Sequence, residues 1–262
     1  MIVIKYGGHA LPEPGVKDPV IALIADQIKN GKKLVLVHGG GPQINAELAL
    51  HGVEGEFLGG YRKTSPAVFR VVQKVLSGDV LRTLVNQFVS EGVNAVGISA
   101  GDGGLIRAVR MRPIVDGKPV DIGLVGEVAT TNPEIISSLH ASGLFPIVSP
   151  VAVSEAGEGL NLNADIAAGA IAGALKADEV IFMTDVAGIY RNFPDPDSII
   201  RSISSVELSS LLPTFSEGMV PKVEAALSAI KAGVTRVRII DGRDVENLGA
   251  ALRGEGGTEI HP

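Results

Sequence analysis

A chain of 262 residues with 45% hydrophobic and 20% charged residues can bury a sizeable core, as one large α/β domain or two lobes sharing a sheet, and is not disordered. A formal net charge of −6 argues against non-specific nucleic-acid binding, and the absence of cysteine removes disulfides, thiolate metal sites and a cysteine nucleophile. No basic leader with an apolar core follows Met1, and no apolar run approaches the roughly 18 residues of a membrane span, so the expected location is the cytoplasm.

Ile2-Val3-Ile4-Lys5-Tyr6 reads as a strand that runs into Gly7 and Gly8, with a lysine near its end. Pro12, Pro14 and Gly15 break the chain, Asp18 can cap a helix over about 19–30, and Gly31 ends it. Leu34-Val35-Leu36-Val37 is apolar without alternation, as in a strand buried on both faces, and leads into His38-Gly39-Gly40-Gly41-Pro42. Such glycines let backbone N–H groups approach an anion, and the next helix aims its positive end at the same spot. The alternative is a tight strand–helix turn that binds nothing. Neither the Walker pattern nor G-x-G-x-x-G is present, so any cation must come from elsewhere in the chain. In a parallel sheet both glycine loops would line one crevice at the carboxyl ends of their strands.

A helix over 43–51 and a short strand near 54–58 precede a polar loop, 59–66, in which Arg62 and Lys63 are adjacent. That pair is either solvated surface or an anion site. Residues 67–91 predict one or two helices with a break near Gly78, and 94–99 a strand. Antiparallel strands are expected over 105–111 and 119–129, a helix over 133–142, and a buried strand over 145–152 that its prolines weaken. A polar loop, 159–165, then leads to an alanine- and glycine-rich helix over 166–175. The apolar strand 179–184 runs into Asp185-Val186-Ala187-Gly188-Ile189-Tyr190. Residues 191–205 carry no assigned element. A helix near 206–212, a loop over 214–222, a helix over 223–232 and strands at 237–242 and 257–260 complete the chain. A lobe boundary is expected near 176, giving units 1–176 and 177–262.

Taken together, these loops resemble the amino acid kinase family, in order and over essentially the whole chain. Its Lys-x-Gly-Gly is matched by Lys5 to Gly8, its His-Gly-Gly-Gly by His38 to Gly41, and its Gly-x-Arg-x-Thr by Gly60 to Thr64. Asn161 to Asp165 match Asn-x-Asn-Ala-Asp, Thr184 to Ile189 match Thr/Ser-Asp-Val-x-Gly-(Ile/Val), and Gly218 to Lys222 match Gly-Met-x-x-Lys. Residues 121–128 look like the family's acetylglutamate branch.

The resemblance implies a three-layer αβα sandwich around a mainly parallel sheet, the carbamate kinase-like fold. It also implies transfer of the γ-phosphoryl of ATP, accompanied by Mg²⁺, to the side-chain carboxylate of N-acetyl-L-glutamate. Lys5 and Lys222 would neutralise the transferring phosphoryl, and Asp165 would position both. Gly7, Gly8, Gly40 and Gly41 would hold phosphoryl and substrate oxygens, while Arg62 and Asn161 would clamp the α-carboxylate. Asp185, Val186, Ala187, Gly188, Ile189 and Tyr190, with Ser216, Glu217 and Gly218, match nucleotide-binding positions. No protein cage for the metal is expected, and His9 and His38 are read as structural.

Leu81 stands where many members of that branch have asparagine, and Ala100-Gly101 replaces a common Gly-Lys. The short stretch before Lys5 leaves no room for the extra N-terminal helix of arginine-inhibited hexamers, so a homodimer insensitive to arginine is expected. No nucleic-acid or membrane partner is expected. The rival readings are a kinase for aminoadipate or glutamate carried on an acidic protein, with Arg107, Arg110, Arg112 and Lys118 as a docking surface, and a non-catalytic nucleotide-responsive regulator.

Overall fold

In the computed structural model the described residues are 1–8, 16–115, 117–215 and 219–262. His9, Ser216, Glu217 and Gly218 lie outside them. The molecule is built on an eight-stranded sheet whose centre is Ile2–Tyr6, between Leu34–His38 and Glu179–Thr184 and parallel to both. Phe145–Ser149 and then Ala95–Ser99 extend it beyond Leu34–His38, again in parallel. On the other side come Val237–Asp241, parallel, then Thr258–His261, antiparallel, and finally Ser202–Ser204. The unalternated apolar runs are the central strands, and every residue of Leu34–His38 and Glu179–Thr184 is buried.

Helices cover both faces. Pro19–Lys29, Leu81–Ser90 and Val245–Ala251 pack together, as do Ala164–Leu175 and Val220–Lys231. Asp18 caps Pro19–Lys29 through a 2.8 Å bond from Val20 N, and its other carboxylate oxygen accepts from the Tyr6 hydroxyl. The cap therefore ties this helix to the strand that carries Lys5. A second sheet, in the order Gly159–Asn161, Val151–Val153, Ile106–Arg110, Gly126–Thr131, stands beside the first.

Several boundaries differ from the sequence reading. The strand expected over 145–152 is two strands in different sheets, Phe145–Ser149 and Val151–Val153, parted at Pro150. The break near Gly78 is a π-helix, Lys74–Val80, between Pro66–Gln73 and Leu81–Ser90. The second arm expected at 119–129 is instead Gly126–Thr131, because the small hairpin Ile114–Val115/Lys118–Pro119 takes up the turn. The helix expected from 223 is Val220–Lys231, which puts Lys222 in a first helical turn rather than a loop. Strand Ser202–Ser204 and helix Val245–Ala251 were not expected.

Candidate active site

The carboxyl ends of Ile2–Tyr6 and Leu34–His38 open side by side, as parallel register demands, and the two glycine loops touch there. A Cβ on Gly8 would lie 3.1 Å from both Gly40 N and Gly41 N, and one on Gly7 would lie 2.7 Å from Met183 O. Only glycines allow these backbones to come so close. Gln43 Nε2 donates to Gly8 O at 3.1 Å and Gly39 N to Tyr6 O at 2.8 Å, which pins one loop to the other. Gly41–Leu50 begins at this point, so its first N–H groups, which have no intrahelical acceptors, face the same crevice.

Lys5 and Asp165, 8% and 6% exposed, form the charged floor, with Nζ and Oδ1 2.9 Å apart. This contact is an ion pair by distance without the alignment of a hydrogen bond, and Asp165 Oδ1 has no hydrogen-bond partner. Asn163 fixes the direction of Asp165 by capping Ala164–Leu175, accepting from Asp165 N at 2.8 Å and Ile166 N at 3.3 Å. Asn163 was read only as part of a motif. Its role follows from the cap geometry.

A cavity of about 240 Å³ rises from this floor, lined by Lys5, Gly40, Gly41, Arg62, Asn161 and Asp165 among others. Arg62 sits opposite Phe57 in the hairpin Phe57–Leu58/Tyr61–Arg62. The sequence offered a solvated reading for its loop, yet Arg62 is only 7% exposed. Its Nη2 donates to Gly41 O at 3.3 Å, while Nη1 is buried with no hydrogen-bond partner. Among the described residues no carboxylate pairs with this guanidinium, and burial lowers its pKa from the ordinary value. Thr64 joins Arg62 and Asn161: its Oγ1 donates to Arg62 O at 2.8 Å and accepts from Asn161 Nδ2 at 3.3 Å. Tyr61, also on the cavity wall, has its pKa raised by burial and by the nearby Glu224 and Glu127 carboxylates.

The second group of predicted residues leaves the sheet next door. Strand Glu179–Thr184 pairs with Ile2–Tyr6 in the register Lys5 to Phe182, so Asp185 emerges beside the glycine loops. Thr184 Oγ1 shapes the turn by bonding Val186 N and Val186 O, each at 3.1 Å. Gly188 fits against Thr258, whose Oγ1 would lie 2.5 Å from a Cβ there and which accepts from Ile189 N at 2.8 Å. Asp185 is exposed, Val186, Ala187 and Tyr190 are half-buried, and Ile189 pairs with Ile200. Sequence reasoning missed the neighbouring turn: Gly242 N donates to Thr184 O at 2.9 Å, and Arg243 is held on Asp241 at 2.9 and 2.6 Å. Half-buried Lys222 lies in the first turn of Val220–Lys231, the helix that packs on the one carrying Asp165.

His38 is fully buried. Its Nδ1 donates to Gly39 O at 2.8 Å, its Nε2 has no partner, and burial pushes its pKa down to about 4. It is therefore neutral near pH 7 and packed into the core, in keeping with a structural role. Of the basic surface considered for a carrier protein, Arg110 is already engaged by Glu158 through two bonds, at 2.8 and 2.5 Å.

The profile of the Amino acid kinase family matches residues 1–241. Acetylglutamate kinase of Arthrobacter sp. strain FB24 is 47% identical over 252 residues, covering 92% of this chain and 80% of that protein. Acetylglutamate kinase of Rhodococcus jostii strain RHA1 is 45% identical over 264 residues, covering 100% of this chain and 86% of that protein. Among solved structures, N-acetylglutamate synthase from Neisseria gonorrhoeae, complexed with coenzyme A and N-acetyl-glutamate, superposes with a TM-score of 0.85 at 25% identity. It covers 100% of this chain, which spans 59% of that longer one.

Proposed function

Because this chain belongs to the amino acid kinase family, we propose that its crevice moves the γ-phosphoryl of ATP onto the side-chain carboxylate of N-acetyl-L-glutamate. The product is N-acetyl-L-glutamyl 5-phosphate, and the step belongs to arginine biosynthesis. The observation that carries this reading is the buried Arg62 guanidinium, which among the described residues has no carboxylate to pair with and opens on a cavity floored by Lys5 and Asp165. A buried cation without a counter-ion is costly, and a ligand carboxylate supplies what is missing.

The acceptor carboxylate is already ionised near neutral pH, so no general base is needed. One of its oxygens bonds to the γ-phosphorus as the bond from that phosphorus to the β–γ bridging oxygen breaks, and ADP leaves. Two anions must meet, so the work is neutralisation and alignment. Lys5 and Lys222 supply positive charge on the transferring group, and Asp165 sets their direction. N–H groups of Gly7, Gly8, Gly40 and Gly41 receive phosphoryl and acceptor oxygens. Arg62 and Asn161 hold the α-carboxylate through the Thr64 link. Asp185 to Tyr190, with Ser216, Glu217 and Gly218, take the nucleotide.

Among the described residues no group of three or more His, Asp or Glu side chains could hold a metal ion. In this reading Mg²⁺ arrives with ATP, held largely by phosphates and water, and would offset phosphate charge there. In this scheme residues 1–176 serve the acceptor and 177–262 the nucleotide. The working unit is a cytoplasmic homodimer; among the described residues no helix is long and apolar enough to cross a membrane.

Comparing free N-acetylglutamate with glutamate or aminoadipate linked to a carrier protein tests the substrate. A kcat/KM for the free compound at least about tenfold above the linked ones supports the reading. The reverse order overturns it.

A further inference from the structure

Phe57 is a large aromatic residue left 54% exposed at the cavity, and packing into the core gives no reason for it. Its ring centroid lies 4.6 Å from Arg62 Cζ, directly across the hairpin. Gly55 closes on the same group: a Cβ there would stand 2.5 Å from Arg62 Nη1 and 3.0 Å from Asn45 Oδ1, so it would press on the guanidinium. Buried arginines are ordinarily held by a carboxylate, whose charge and two oxygens fix the planar fork. Arg62 has instead one bond to Gly41 O, an unpartnered Nη1, the face of Phe57 and the bare backbone of Gly55. A carboxylate of the protein would fix the fork but also occupy it. An aromatic face and a glycine fix the plane and leave the donors for a ligand.

We propose that Phe57 and Gly55 are positioning residues that orient the Arg62 guanidinium for the acceptor's carboxylate, so that they set acceptor affinity and not the rate of phosphoryl transfer. The inference rests on the reading of Arg62 as the carboxylate clamp. It adds two residues that belong to none of the glycine, lysine or nucleotide motifs.

The test is steady-state kinetics of Phe57→Leu, Phe57→Trp and Gly55→Ala, with acceptor and ATP varied separately and Arg62→Ala run beside them. Phe57→Leu is expected to raise KM for N-acetylglutamate about two- to fivefold, the worth of a cation–π contact at a half-exposed ring, with kcat and KM for ATP unchanged. Phe57→Trp, which keeps a π face, is expected to retain the parent KM. Gly55→Ala, which displaces the fork itself, is expected to raise the acceptor KM about tenfold or more. An acceptor KM unchanged in both Phe57→Leu and Gly55→Ala, or a loss confined to kcat, overturns the inference. If Arg62→Ala also keeps the parent KM, the clamp reading itself has failed; if Arg62→Ala loses the acceptor while the other variants do not, only the role of Phe57 and Gly55 has.

Discussion

Gly8→Ala is expected to remove most turnover from a protein that still folds. The added methyl would stand 3.1 Å from Gly40 N and 3.1 Å from Gly41 N, and 2.9 Å from Pro42 Cδ. The first two distances are those of an N–H···O hydrogen bond, so the methyl takes the place from which an anionic oxygen would accept from both donors. A methyl cannot accept, and it excludes the oxygen that can. Losing one preorganised donor to developing negative charge costs about 10²–10³ in kcat, so losing two predicts a fall of at least about 10³. The fold has less to lose. Gly8 has no left-handed backbone to strain, and the crowding at Pro42 Cδ and the two backbone nitrogens is overpacking worth about 1–3 kcal/mol. Initial rates at saturating ATP and acceptor, with a thermal melt on the same sample, separate the two effects. Gly41→Ala is the control, since its methyl meets nothing within 4 Å and is expected to leave the melt unchanged. A folded Gly8→Ala protein with kcat within tenfold of the parent would refute the reasoning.

Lys222→Ala is expected to lose most turnover with an unchanged melting profile, and retained activity would remove Lys222 from the catalytic assignment. Asp165→Asn strands the buried Lys5 charge and is expected to cost about 3–5 kcal/mol in denaturant unfolding. The double variant Lys5→Met with Asp165→Leu is expected to recover much of that stability but no activity, whereas recovered activity would deny the pair a catalytic role. Burial holds His38 at about 4 in the folded chain, whereas the unfolded chain binds its proton from about pH 6.5 downward. The unfolded state therefore carries more protons in that window, and stability contributed by neutral His38 is present above about pH 6.5 and lost as pH falls. Between about pH 6.5 and 5 the loss is about 1.5 kcal/mol, and His38→Gln is expected to flatten that part of a stability–pH profile. An unchanged slope in the variant would contradict the burial argument.

The parts of the site that sequence exposed most clearly are those whose signal is local. Lys5 with Gly7 and Gly8, and His38 to Gly41, each follow an apolar strand directly, and parallel pairing was enough to set them side by side. Asp18 was legible as a cap for the same reason. Arg62 was visible as a cation, but its burial was not. The strands of its hairpin have two residues each, too short for alternation to register, and the groups that enclose it come from Gly41, Phe57 and Gly55. The Lys222 helix starts three residues earlier than the sequence reading has it, because that reading places Pro221 inside the loop 214–222, although it sits in the first turn, where proline is tolerated. Ser202–Ser204 was hidden by composition, since only Ile203 in it is buried and polar residues flank it. The turn Asp241 to Arg243 gained its place beside Thr184 solely from sheet order, which no local pattern records.

The measurement that bears most directly on the central claim is trapping of the product as a hydroxamate. The purified protein is incubated with Mg-ATP, hydroxylamine and, in turn, N-acetylglutamate, glutamate, aspartate and N-acetylaspartate. The account predicts hydroxamate in step with ADP, dependent on protein and far above the others for N-acetylglutamate. ADP release without hydroxamate, or an equal yield from every acceptor, would contradict transfer to the side-chain carboxylate of an acceptor whose α-carboxylate Arg62 holds.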